Sequence, residues 1–291
     1  MSDIPPNDPA NNSIADGLLD QPAPDADTSK VIVESTRDGA TTVIINRPGK
    51  KNAFDAETIG ALHEAFETLQ NQPGVRVVFV RGAGDTFCAG ADIEWMRDAQ
   101  DWDEADNRDD AMDLARMLKA LYDIPCLTVA LVEGSCFGGG AGLVAACDTA
   151  VAVEGTVFAF SEVKLGLTPA TISPYVIEAI GPRHARALFA TGMPFKADDA
   201  ARIGLVDEVV KSSASLDKAR DWLTEQTLLT APGAVADAKA LVHHVHAKHH
   251  GVIDHHLMEE TASRIAARRV SPEGREGIAA FIERRKPDWS V

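Results

Sequence analysis

The period of the apolar positions changes along the chain, and the changes mark its elements. Val31 to Thr36 and Thr41 to Asn46 are β-rich runs on either side of Arg37-Asp38-Gly39-Ala40, which predicts a hairpin. A helix follows from about Ala56 to Gln70. Asp55 stands at its cap, and Phe54 and Ile59 stand at the positions of a hydrophobic staple. Pro73-Gly74 stops it, and Val75 to Val80, apolar except for Arg76, predicts a buried strand. Leu127 to Val132 is the next such run. A helix is expected to start within Gly138-Gly139-Gly140 and run towards Cys147, and Thr149 to Val153 is again strand-like. Strand, helix and strand in alternation predict α/β layers with parallel pairing.

Near Ser173 the pattern changes. Ser173-Pro174 is a helix start with proline at the first position, and Gly181 is a stop. Apart from a short β-run at Val206 to Val210, the remainder is helical. The last two helices, Asp254 to Arg268 and Pro272 to Arg285, follow no strand. Residues 1–29, rich in Pro, Asp, Asn and Ala, bury too little apolar surface to offset their ordering entropy. The expected organisation is a disordered tail over 1–29, an α/β core over 30–210 and a helical region over 211–291.

Composition removes several classes of function. No apolar run approaches the ~18 residues of a membrane span, and the first residues lack the charged and apolar regions of a secretory signal. A cytoplasmic protein is expected. A net charge of −16 opposes a nucleic-acid surface. A few arginines or a helix N-terminus can still hold an anionic ligand. Cys88, Cys126, Cys136 and Cys147 form no C-x-x-C pair and predict buried free thiols. The stretch His243-His244-Val245-His246-Ala247-Lys248-His249-His250, with His255-His256, puts His246 and His250 on one helix face. It has no H-E-x-x-H and no third ligand beside it, so no metal site is expected.

Two segments could carry chemistry. In Arg81-Gly82-Ala83-Gly84-Asp85-Thr86-Phe87-Cys88-Ala89-Gly90-Ala91-Asp92-Ile93 a buried strand enters a turn of small residues before a helix. In Val132-Glu133-Gly134-Ser135-Cys136-Phe137-Gly138-Gly139-Gly140-Ala141-Gly142 the same happens again. Small side chains admit a ligand to the backbone, and helix N-termini offer unpaired N–H donors. Neither is a P-loop or a G-x-G-x-x-G fingerprint. Either turn could be mere tight packing. As a pair at strand ends they could aim two N–H groups at one oxygen, an oxyanion hole made of backbone.

Phe87-Cys88-Ala89-Gly90-Ala91-Asp92-Ile93 resembles the F-x-A-G-A-D-[IL] signature of the enoyl-CoA hydratase/isomerase (crotonase) superfamily. Gly138-Gly139-Gly140 with Cys147-Asp148 resembles its G-G-G-x-x-L-x-x-x-C-D segment. Asn46-Arg47-Pro48, Asn52-Ala53, the loop from Glu162 to Pro169 and the ending from Ser271 to Arg285 fit as well, so the likeness spans roughly residues 31 to 290. The resemblance implies an α/β crotonase-like spiral of ββα units with a C-terminal helical trimerisation region. It implies a homotrimer or a dimer of trimers, an acyl-CoA substrate carrying coenzyme A, and no permanently bound cofactor. Carried over by position, the N–H groups of Ala91 and Gly139 would be the oxyanion donors and Glu162 the catalytic carboxylate. Lys50, Lys51, Ala53, Ala89, Asp92 and Ile93 would border coenzyme A, and Arg284 would reach the cofactor of the same or a neighbouring subunit.

The sequence departs from that pattern at two places. The first of the two glutamates of the hydratases falls on Gly142. A lysine that binds coenzyme A in some relatives falls on Glu94, where Lys50, Lys51 or Arg47 are the candidates to compensate. The runs from Phe137 to Leu143, from Ser161 to Tyr175 and from Ser271 to Gly277 resemble bacterial methylglutaconyl-CoA hydratases and the related hydratases of branched terpenoid acids. The resemblance therefore favours an enoyl-CoA hydratase. An enoyl-CoA isomerase, for which one carboxylate suffices, and an acyl-CoA-binding protein with little catalysis remain as alternatives.

Overall fold

The computed structural model describes residues 29–248 and 252–290. The expected tail, save Ser29, lies outside them, as do His249 and His250. Strands β1 (Val31–Ser35) and β2 (Ala40–Ile45) form the hairpin, with Val33 opposite Val43. The chain continues through α1 (Ala56–Asn71), β3 (Val77–Gly82), α2 (Ile93–Asp98), α3 (Glu104–Tyr122), β4 (Leu127–Val132), β5 (Ser135–Phe137), α4 (Gly139–Ala146), β6 (Thr149–Val153), β7 (Val157–Ala159), α5 (Ser173–Thr191), β8 (Phe195–Lys196), α6 (Ala197–Ile203) and β9 (Glu208–Val210). Helices α7 (Ser213–Leu228), α8 (Pro232–Lys248), α9 (His255–Val270) and α10 (Pro272–Glu283) follow.

The main sheet has the order β1-β2-β3-β4-β6-β9, parallel throughout after the hairpin. A second sheet, β5-β7-β8, is extended by isolated bridges at Cys88–Cys136 and Phe54–Ala91. A main strand, a short extended segment and a helix thus recur: β2, Phe54, α1; β3, Cys88, α2; β4, β5, α4; β6, β7, α5. This is the spiral of ββα units that the resemblance implies.

The continuous apolar runs are explained by burial on both faces. Val78 and Val80 join the larger core with α1, α3, α4 and α5, whereas Val77 and Phe79 face Leu216 of α7. Asp55 caps α1 by accepting the Thr58 N–H at 2.8 Å, and Ile59, Leu62, Phe66 and Leu69 make its inner stripe. Gly181 interrupts α5 with φ 73° and ψ 159°, and Pro182 restarts the helix at once. The stop read at Gly181 is therefore a kink. Helices α8, α9 and α10 pack on one another. Half or more of Ile265, Ile278, Phe281 and Ile282 stays exposed there.

Candidate active site

The two glycine-rich turns are laced side by side. The Phe87 N–H donates to the Glu133 carbonyl at 2.8 Å, the Cys88 N–H to Ser135 at 3.0 Å, and the Phe137 N–H to Cys88 at 2.9 Å. On the far side, Phe54 donates to the Gly90 carbonyl at 2.8 Å and accepts the Asp92 N–H at 2.7 Å. Successive N–H groups of an extended segment point to opposite sides. The Ala91 N–H is therefore turned away from Phe54, and it donates to nothing among the described residues. The Gly138 N–H is used by the Ala159 carbonyl at 2.9 Å, but the next one, on Gly139 in the first turn of α4, is also free. The two turns touch where these donors lie: a Cβ on Gly90 would stand 3.5 Å from the Phe137 carbonyl oxygen.

A buried polar knot fixes the approach to these turns. Arg47 donates to the Ala53 carbonyl and to Asp92 at 2.8 Å, and it pairs with Asp55 at 2.9 Å. Asp92, 5% exposed, also caps α2 by accepting the Glu94 N–H at 2.9 Å. Burial pushes the Asp92 carboxyl up, but the Glu94 N–H and Arg47 hold it below its usual range. Burial likewise opposes ionisation of Asp55, yet Lys30, Thr58 and Arg47 bring it down to about 2. Asn52 is fully buried in the left-handed region at φ 55°. Its amide accepts the Arg47 N–H at 2.9 Å and donates to the carbonyls of Ala83 at 2.9 Å and Thr86 at 2.6 Å.

Glu162 opens a one-turn 3₁₀ helix after β7. Its carboxylate lies over Gly138, where a Cβ would meet Oε1 at 3.3 Å. Gly138 has φ 50° and ψ −118°, a conformation that favours glycine, so backbone angle and space agree on that residue. Oε2 of Glu162 is buried without a partner among the described residues. Burial pushes this carboxyl above its usual value. Glu162 is thus a half-buried acceptor with an unused oxygen, lying over the residue that precedes Gly139, and such a group can take a proton from a molecule bound beside it.

The enoyl-CoA hydratase/isomerase family model matches residues 35–291. The chain belongs to that family. The likeness extends to solved structures. A Legionella pneumophila protein assigned as an enoyl-CoA hydratase/isomerase (crotonase) is 38% identical with a TM-score of 0.84, over 90% of this chain and 99% of the other. An enoyl-CoA hydratase from Shewanella pealeana is 36% identical with a TM-score of 0.85, over 89% and 96% of the two chains. A carnitinyl-CoA dehydratase from Proteus mirabilis is 30% identical over 88% of this chain and 96% of its own. As a member of the enoyl-CoA hydratase/isomerase family, the chain is an enzyme with the crotonase fold.

The other residues singled out in this family member separate into two groups. Ala89 and Asp92 lie in the first laced turn and Ala53 in the loop beside it: the Ala89 N–H donates to the Lys51 carbonyl at 3.0 Å, and the Ala53 carbonyl and Asp92 carboxylate are taken by Arg47. Lys50, a candidate to compensate for the lysine absent at 94, pairs with Glu94 itself at 2.9 Å. Lys51 is exposed, and Ile93 is 74% exposed beside the Ala91 turn. Arg284 stands apart in the left-handed conformation at the end of α10, which packs on α8 and α9.

His243, His244, His255 and His256 have structural partners. His243 stacks on Tyr122 at 4.4 Å, and His244 and His256 contact Glu260 at 2.8 and 3.4 Å. No group of three metal-ligating side chains occurs among the described residues. All four cysteines are free, and burial pushes Cys88 up to about 12. Asn52, which ties the loop at Arg47 to the first glycine-rich turn, was not read as such from the sequence. Its signal was the αL-tolerant Asn after Lys50-Lys51, which by itself marks any turn.

Proposed function

We propose that this enzyme adds water across the C2–C3 double bond of a 2-enoyl-CoA, or reverses that addition. Conjugation with the thioester makes C3 electrophilic, and attack there moves negative charge to the thioester oxygen. The Ala91 and Gly139 N–H groups hold that charge as it grows, which stabilises the transition state more than the bound substrate. Glu162 takes a proton from the attacking water and returns it to C2. The observation that carries this reading is Glu162, whose carboxylate lies over Gly138, the residue before the Gly139 donor, and whose Oε2 is buried without a partner among the described residues.

The favoured substrate is methylglutaconyl-CoA or a related branched enoyl-CoA, supported by the runs around Gly139 and Glu162. Coenzyme A is bordered by Lys50, Lys51, Ala53, Ala89, Asp92 and Ile93 and reached by Arg284. The exposed Ile278, Phe281 and Ile282 support a homotrimer or a dimer of trimers, because an assembly would cover them. The bare Gly142 favours delta-isomerisation as a second reading, since one carboxylate can move a proton between two carbons. Incubation with 2-enoyl- and 3-enoyl-CoA followed by product analysis separates the two. 3-Hydroxyacyl-CoA is the expected product. Conversion of 3-enoyl- to 2-enoyl-CoA without any 3-hydroxyacyl-CoA would replace hydration by isomerisation.

A further inference from the structure

Gly142 lies one helical turn after Gly138, whose carbonyl accepts its N–H at 3.0 Å. Residues four apart share a helix face. A side chain at 142 would therefore stand on the face of α4 that the Glu162 carboxylate overhangs. There is no room for one. A Cβ at 142 would come within 2.3 Å of Ile172 Cγ2 and 2.9 Å of Ile172 Cβ, with Leu118 Cδ1 behind at 3.8 Å. Ile172 cannot readily yield. It is 2% exposed, it is the residue before the first turn of α5, and its branched Cβ restricts rotation.

We propose that Ile172 is a specificity-determining residue of the site. Its side chain takes the volume in which α4 could carry a second acid–base group, and it makes that wall apolar. Glu162 is then the one carboxyl that serves both proton transfers. Resting on the hydration reading above, the balance is closed by one water: its O–H bond breaks, oxygen bonds to C3, Glu162 receives the proton, and the same carboxyl delivers a proton to C2 and returns to its ionised form. Gly142 and Ile172 are a matched pair, so a carboxylate cannot be restored at 142 while Ile172 is present.

The test has two arms. In the first, Gly142→Ala, Ile172→Ala and the double variant are melted beside wild type. Gly142→Ala should lower Tm by at least about 5 °C, as overpacking of a filled core does in a chain of this size. In the Ile172→Ala background the same change should cost less than half as much. An unchanged Tm for Gly142→Ala, or equal costs in the two backgrounds, overturns the matched pair. In the second arm, kcat/KM for a 2-enoyl-CoA is followed against pH. Wild type should show a single ionisation on the acid side, and the folded Gly142→Glu/Ile172→Gly variant should add another. A Gly142→Glu protein that melts like wild type and shows both ionisations overturns the proposal. Absence of any turnover by wild type counts against hydration, and the melting arm then decides the Ile172 assignment by itself.

Discussion

Replacement of Asn52 by alanine tests the frame of the site without touching substrate. Its amide satisfies three backbone groups, the Arg47 N–H and the carbonyls of Ala83 and Thr86, and its residue is fully buried. Leaving each without a partner costs about 1 kcal/mol, at the lower end of the range for buried groups because nearby turns can relax. Alanine at φ 55° adds about 1 kcal/mol of left-handed strain. Asn52→Ala should therefore lose about 4 kcal/mol and Asn52→Gly about 3 kcal/mol, since glycine carries no such strain. At about 2 °C per kcal/mol in a chain this long, the two should melt roughly 8 and 6 °C below wild type. Urea unfolding followed by far-UV circular dichroism, at one protein concentration, measures the difference directly. Turnover should fall with stability, because the same amide holds the segment that leads to Ala91. An Asn52→Ala protein within about 1 kcal/mol of wild type would refute the three-bond accounting.

Five further outcomes can be checked. Glu162→Gln keeps the shape and removes the base, so hydration should fall by at least ~10² in a steady-state assay. Burial raises the Glu162 carboxyl from its usual 4.5, so the folded state binds more protons than the unfolded one as pH rises through that window. Stability present below 4.5 is lost as pH rises through the raised value, and the Gln variant should lack this loss in melting curves against pH. Asp55, held at about 2 against 3.8 in the open chain, acts in the other direction: its stabilisation is present above 3.8 and lost as pH falls through about 2. Asp55→Asn should melt lower at neutral pH, with the gap to wild type closing in acid. Folded Gly139→Pro should lose ~10²–10³ in rate through one missing donor, and light scattering should give a trimer or a hexamer; a stable monomer at micromolar concentration would contradict the interface.

The parallel sheet was legible because its strands are buried on both faces and read as largely apolar runs, as Val77 to Val80 and, but for Thr128, Leu127 to Val132 do. Strands β5, β7 and β8 were not, since two or three residues cannot show a period. Helix α3 escaped for a different reason. Its first turns, from Glu104 to Asp113, are charged or polar at seven of ten positions, and its buried residues are confined to Met117, Leu118, Ala120 and Leu121. The glycine turns were legible as motifs because their residue types are dictated locally. The packing of Ile172 against Gly142 was not, because the two come from separate elements and meet only in the fold. The same holds for the commitment of Asp92 to Arg47, 45 residues away.

In the proposed mechanism both oxyanion donors belong to the main chain, whereas the proton carrier is one side chain. The two halves therefore answer to mutation differently. A substitution at Ala91 that keeps the backbone course leaves its N–H where it is, so the electrostatic half is as durable as the fold that shapes it. The chemical outcome hangs instead on Glu162 and on what its neighbours leave room for. A scaffold divided in this way can exchange one reaction for another through a few side chains, while the anchor for the thioester oxygen needs no redesign.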